Sequence, residues 1–226
     1  MAELQDRALL LRRIPYGDTS LVIHLLTEQH GVLSLMAKGV RRLKSPFRAA
    51  LEPLYELTVR WRPGRSGMGT LIDVERHALL LPLAKAGSGL QLVAVAAALY
   101  REGDPQGFGE LYRGLQMLAA RPEDSGLAAA TWQMLIDSGW VGDLEHCWGC
   151  GVELADDGMV SWLSGQLCCE HCCTQGMPIF LGMRRGMQAH LAQDNVRLPA
   201  RDVATWRRMI DDVLGLHGLR VRLGSS

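Results

Sequence analysis

The stretch Gly31-Val32-Leu33-Ser34-Leu35-Met36-Ala37-Lys38-Gly39-Val40-Arg41-Arg42-Leu43-Lys44-Ser45 decides how this chain is read. It opens as a strand. Val32, Ser34 and Met36 alternate with Leu33, Leu35 and Ala37, and polar residues are so scarce that both faces are expected to be covered. It closes as a cationic loop, with Lys38, Arg41, Arg42 and Lys44 inside seven residues and no acid among them. Gly39 permits a sharp turn there. A strand that delivers four cations to one loop suits a partner rich in negative charge, such as a nucleic-acid backbone. A merely solvated loop is the competing reading.

Upstream, Asp6 to Ile14 and Ser20 to Thr27 read as strands, separated from each other and from the central one by turns at Pro15–Asp18 and Glu28–Gly31. Downstream, Phe47 to Leu51 reads as a helical turn. Leu54 to Trp61 alternates strictly, and Gly69 to Glu75 returns after a Pro/Gly loop. Tyr55 and Trp61 share a face of their strand, so both point inward or both outward. Five strands in about 75 residues predict a small closed barrel, with the OB-fold as first choice and an SH3-like barrel as the alternative.

From Pro82 the period changes to that of helices. Helices are expected at Leu83–Arg101, from an Asp104 N-cap with Pro105 at N1 to Ala119, from Pro122 to about Ser138 with Gly139 as the stop, at Arg184–Gln193, and at Ala200–Leu216. The last carries Trp206, Met209, Ile210, Val213 and Leu214 on one stripe. The fold class is therefore α+β: a barrel domain over residues 1–78, then a helical domain over 79–226 holding a cysteine segment at 147–173.

Net charge is uninformative, with 24 basic and 24 acidic residues among 226, but its distribution is not. Residues 38–65 hold 8 basic and 2 acidic residues, a net of +6 in a neutral chain. That points to a local polyanion site rather than a generally adhesive surface. Arg60, Arg62 and Arg65 extend this region as secondary candidates. The longest apolar run, Leu90 to Tyr100, is about half of what a bilayer span requires, so no membrane role is expected.

All six cysteines fall between 147 and 173. Cys147-Trp148-Gly149-Cys150 and Cys169-Glu170-His171-Cys172 are two CxxC pairs at a spacing suited to a four-thiolate metal site. Cys168, Cys173 and His171 leave the second ligand pair open. Cys169 and Cys172 are favoured because they reproduce the first knuckle. Tight clusters of this kind indicate metal rather than secreted-protein disulfides, and hence a cytoplasmic protein. Four thiolates close the coordination sphere, so the zinc is expected to be structural. No H-x-E precedes the cysteines, and no GxxxxGK[ST], GxSxG, HExxH or GxGxxG occurs, so no enzyme is expected.

Tyr16-Gly17-Asp18-Thr19-Ser20, Leu26-Thr27-Glu28-x-x-Gly31, Ala37-Lys38-Gly39-Val40-Arg41-Arg42 with Lys44-Ser45, and Leu51-Glu52-Pro53 together resemble the N-terminal domain of the RecO family of bacterial recombination mediators. The helical region and interrupted Cys-x-x-Cys pairs resemble the rest of that family. The resemblance implies an OB-fold followed by a helical domain with a structural zinc. It also implies binding to single- and double-stranded DNA, annealing of complementary strands, and work with RecR and, in many bacteria, RecF. Such proteins help load RecA on DNA coated by single-strand-binding protein, whose acidic tail they contact. Carried over, Lys38, Arg41, Arg42 and Lys44 would meet phosphates in a nucleoid-associated protein. The crowded Cys168-Cys169 and Cys172-Cys173 depart from the family pattern. The alternative function is a zinc-ribbon regulator binding RNA or DNA. A metal-dependent nucleic-acid enzyme is a third reading, from another class.

Overall fold

The structure is a computed structural model that describes every residue except 1, 65, 66, 157, 193–195, 220, 222 and 224–226, together with all side chains of these elements but that of Glu123. Five strands close a barrel in the order β1-β2-β3-β5-β4: β1 (Leu4–Tyr16), β2 (Ser20–Thr27), β3 (Gly31–Ala37), β4 (Tyr55–Arg62) and β5 (Gly69–Leu79). Antiparallel β1–β4 pairing and a short parallel β3–β5 contact at Leu35–Gly69 and Met36–Thr70 complete the ring. This is the OB arrangement, and the SH3-like alternative falls away.

The inward set is what the alternation predicts: Ala8, Leu10, Ile23, Leu25, Leu35, Ala37, Leu57, Val59, Trp61 and Leu71, all buried. Val40, from the cationic loop, and Leu51, after α1 (Pro46–Ala50), plug the core as well. Tyr55 and Trp61 both face inward, with Tyr55 only partly buried at the rim under the Arg76 guanidinium, 4.6 Å from its ring centre.

Several expectations are corrected. Strand β4 starts at Tyr55, not Leu54, because Leu54 takes a left-handed φ of 67° that ends extended pairing there. Strand β1 runs past Ile14 to Tyr16, and β5 past Glu75 to Leu79, because each has a partner strand to that length. Covering of both β3 faces holds only at one end: Val32 is buried, whereas Ser34 and Met36 are partly exposed.

A helical pair follows the barrel. A 3-10 turn at Leu83–Lys85 leads into α2 (Ala86–Leu99), so the irregular first turn expected near Gly87 falls slightly earlier. Helix α3 (Phe108–Ala120) does not begin at Asp104, whose Oδ1 instead accepts the Gln106 amide in a local turn. Gly107, at φ 115°, packs on the Tyr100 ring, and Glu110 Oε2 accepts its amide, which moves the helix start there. Lys85 caps α3 by donating to the carbonyls of Leu118 and Ala119.

Contacts divide the chain into two compact units, residues 1–119 and 120–226. The first takes in α2 and α3 as well as the barrel. The change of sequence period near residue 79 marks the end of β5, and the compact unit runs on beyond it. The second unit has α4 (Glu123–Asp137), α5 (Leu181–Leu191) and α6 (Ala200–Leu216) around a core including Trp132, Leu135, Met187, Trp206, Ile210 and Val213. The whole expected α6 stripe is buried. Helix α5 begins three residues before the expected Arg184, and the expected end at Gln193 lies outside the described residues. Between α4 and α5 lies a small sheet, β7-β6-β8, made of Val160–Leu163 (β6), Gln166–Cys169 (β7) and Met177–Pro178 (β8). Among the described residues, no helix is long and apolar enough to cross a membrane.

Candidate nucleic-acid interface and metal centre

The cationic loop is held by its backbone while its charges point outward. Gly39, at φ 70°, turns the chain, and the Arg42 amide closes the turn on the Gly39 carbonyl at 3.1 Å. Arg41 donates its amide to Thr19 O at 2.9 Å and Nη1 to Gly17 O at 3.2 Å, which fastens the loop to the β1–β2 hairpin tip. Val40 anchors it in the core, and Lys38, Arg41, Arg42 and Lys44 are exposed around it. None of the four has an acidic partner among the described residues. Leu43 between them is also exposed.

Arg60 and Arg62 are differently placed. Arg60 pairs with Glu3 at 3.1 Å and Asp73 at 3.3 Å, and Arg62 pairs with Glu3 at 3.0 Å. Acids therefore lie against Arg60 and Arg62, whereas none lies against the four loop cations among the described residues. Arg65 lies outside the described residues.

A second feature adjoins the loop. The β1–β2 register slips between Leu10 and Arg12, and this bulge turns Arg12, Ile14 and Tyr16 onto the outer face, opposite His24, Val22 and Ser20. All three β1 residues are exposed. An aromatic, an aliphatic and a cation therefore lead along one strand away from the basic loop, a surface on which unpaired bases can stack. Tyr16 was foreseeable as a candidate from its type. Arg12 was not, because a bulge has no strong sequence mark.

In the second unit, the Sγ atoms of Cys147, Cys150, Cys169 and Cys172 all lie within 4.8 Å of one another. Each pair sits on a tight turn. Cys147 O accepts the Gly151 amide at 2.8 Å, and Cys169 O accepts the Cys172 amide at 3.1 Å. Four sulfurs about 2.3 Å from a tetrahedral zinc lie about 3.8 Å apart. The Cys150–Cys169 separation is 3.8 Å. An all-sulfur tetrahedral donor set suits zinc. His171 is not part of the cluster. Cys168 and Cys173 are instead joined to each other by a disulfide across the Cys169–Cys172 turn, a bond that the expectation of metal alone did not foresee.

Burial pushes the Cys147 thiol up, but amides of Cys169, Cys150 and Gly149 outweigh it and bring it down to about 6. Hydrogen bonds shared with Cys150, Cys147 and Cys169 push Cys172 up to about 12.

The cysteine segment is tied to the helices around it. Buried Arg184 of α5 donates Nη2 to Leu154 O at 2.9 Å, and Trp162 of β6 donates Nε1 to Asp212 of α6 at 3.1 Å. Trp148, beside Cys147, meets Trp162, which meets Trp132 in the α4 core. A separate groove of about 760 Å³ runs past the start of α4 and along α6. Leu198, Pro199, Val203 and Leu223 line it together with charges of both signs, Arg197, Arg207 and Arg208 against Asp124 and Asp211.

An OB barrel carrying an unneutralised basic loop, joined in sequence to a helical unit with a thiolate knuckle, defines a class of nucleic-acid-directed proteins. A family model described as "Recombination protein O N terminal" matches residues 1–79. A DNA repair protein RecO of Actinobacillus succinogenes is 32% identical over 164 residues, covering 70% of this chain and 68% of that protein. RecO proteins of Erwinia tasmaniensis and Pasteurella multocida are each 35% identical, over 159 and 160 residues. The Erwinia match covers 67% of this chain and 64% of the relative, just under two thirds of its length. The chain belongs to the RecO family.

Proposed function

We propose that this protein is a non-enzymatic DNA-binding mediator of recombinational repair that anneals complementary strands. The observation that carries the reading is the loop Lys38–Lys44 on an OB barrel, whose four cations are exposed and have no acidic partner among the described residues. Such a loop neutralises phosphates of any sequence, on single or double strands, and releases their counterions. Two strands held against one cationic surface repel each other less and remain adjacent long enough to pair. The chemistry is electrostatic and breaks no covalent bond.

A structural Zn²⁺ held by Cys147, Cys150, Cys169 and Cys172 closes the cysteine segment, which cannot build a core from its short β6–β8 sheet alone. The groove along α6, with apolar walls and Arg197, Arg207 and Arg208 outnumbering Asp124 and Asp211, would take the acidic C-terminal tail of a single-strand-binding protein. Recruitment through that tail brings the protein to coated single strands in the cytoplasm, at the nucleoid, where with RecR and RecF it would help load RecA. The test is annealing of complementary strands coated with single-strand-binding protein, with and without this protein, while watching for cleavage. Acceleration without cleavage is expected. No acceleration, or strand scission, overturns the reading.

A further inference from the structure

The outer face of the β1–β2–β3 sheet is closed at one end and open at the other. At the closed end Leu9, Leu26 and Val32 are buried. The segment after α2 is laid against this end: Glu102 bridges to Val32 in parallel, and the Asp104 carbonyl rests on Gly31. At the open end stand Arg12, Ile14 and Tyr16. Where the two meet there is a cleft of about 310 Å³, whose lining includes Arg12, His24, Ser34, Tyr100, Arg101 and Glu102.

We propose that this cleft receives one unstacked nucleobase of a single strand that crosses from the Lys38–Lys44 loop along Tyr16, Ile14 and Arg12. The inference rests on the DNA-binding reading above and adds a base-recognising site to it. Three features support it. The first is continuity. Side chains on one strand face recur about every 7 Å, so the Tyr16–Arg12 row bridges from the loop to the cleft in two steps.

The second feature is chemistry. Arg12 and Arg101 supply planar donors and Glu102 an acceptor, and a base edge presents acceptors and amino donors together. His24 Nδ1 lies 3.0 Å from Ser34 Oγ, which orients the ring and leaves Nε2 without a partner among the described residues. The wall is the buried Tyr100. The third feature is shape. The covering segment ends the open face here, so a strand following it must turn away, and its terminal base is the one presented edge-on. A duplex holds its bases paired and stacked and cannot enter. The cleft therefore distinguishes single strands, whereas the cationic loop serves both.

The test uses the whole chain and Ala97→Phe, which fills the cleft from a half-buried position on α2 without touching the loop. Glu102→Ala is the second variant, removing the acceptor and adding no bulk. Anisotropy titrations would compare a mixed-sequence single strand with a duplex of the same length. The expected result is roughly a ten-fold loss of single-strand affinity in Ala97→Phe, about what one base contact contributes, with duplex affinity and salt slope unchanged. Glu102→Ala should lose several-fold on single strands only. Wild-type protein should bind an abasic oligonucleotide more weakly by a similar factor.

Unchanged single-strand binding in both variants overturns the proposal, as does an equal loss on duplex. Saturable binding of a free mononucleotide as tight as that of the oligonucleotide would assign the cleft to a soluble ligand and also overturn it. Failure of the DNA-binding reading is distinguishable, because it requires that loop variants leave both single-strand and duplex binding intact.

Discussion

Replacing one knuckle cysteine, Cys169→Ser, should unfold much of the second unit rather than merely inactivate it. The metal segment has little regular structure, only three short strands between residues 160 and 178. Its contribution to the core comes through Leu154, Val160, Trp162 and Leu167, all buried. Each such side chain is worth about 1.5–3 kcal/mol on burial, so detaching the segment removes about 6–12 kcal/mol. That equals the whole stability of an ordinary domain, about 5–15 kcal/mol. A metal bound there would hold the segment down, because the four sulfurs come together only in the folded state.

Cys168 and Cys173 provide the internal control, since their bond closes a loop only five residues apart in sequence. Loop-closure entropy puts its worth at no more than about 2 kcal/mol. The assay combines zinc content by atomic emission, helix content and melting by circular dichroism, and tryptophan fluorescence, which the Trp148–Trp162–Trp132 contacts make sensitive to the segment's position. About one zinc per chain is expected in wild type and in the Cys168→Ser/Cys173→Ser double variant, with loss of zinc and of cooperative melting in Cys169→Ser. Zinc-free wild-type protein after reducing purification, or the reverse ranking of the two variants, would refute the reasoning.

Other outcomes follow from the geometry. Glu56 accepts from Arg7 Nε at 2.8 Å, and that bond holds its carboxyl below the usual carboxylate range. A lowered folded-state pKa stabilises the protein above the ordinary carboxylate pKa, and the effect is lost as pH falls through the folded value. Glu56→Gln should therefore cost roughly 1 kcal/mol at pH 7 by chemical denaturation, and the gap from wild type should close as pH falls below the ordinary carboxylate range; a gap that persists in acid contradicts the assignment. Gly31→Ala would put a Cβ 1.9 Å from the Asp104 carbonyl oxygen at a φ of 63°, and should destabilise the first unit by on the order of 3–5 kcal/mol. An unchanged melting temperature would show that the 100–105 segment does not pack there. In the α6 groove, Arg208→Glu should weaken binding of an acidic, apolar-ended tail peptide at least ten-fold by calorimetry at low salt, and equal affinity would move the tail elsewhere.

Where physical causes were local, the sequence was a good guide. Strands β2 and β3 and helix α6 fall at the bounds that alternation and the 3.6-residue stripe predict. The clustering of Cys147, Cys150, Cys169 and Cys172 was legible from spacing, because each CxxC turn is made by its own four residues. What escaped was set by distant partners or by backbone strain. Charge counting took Arg60 and Arg62 without partners, but Glu3, 57 and 59 residues away in sequence, pairs with both. Asp104-Pro105 has the pattern of a helix start, yet packing of Gly107 on Tyr100 decides where α3 begins. The left-handed Leu54 and the bulge that exposes Arg12 follow from barrel closure, which no local pattern records. The Cys168–Cys173 pairing needed the fold of the intervening turn.

The central claim is that the Lys38–Lys44 loop binds DNA phosphates, and the salt dependence of single-strand binding tests it most directly. Arg41→Ala/Arg42→Ala should weaken binding to unrelated sequences equally. Each lost contact should flatten the slope of log affinity against log salt by roughly 0.7 on single strands. Annealing should fall in parallel, while zinc content and melting temperature stay near wild type, because exposed charges contribute little to stability. A double variant that keeps the wild-type slope and anneals at full rate would contradict the account.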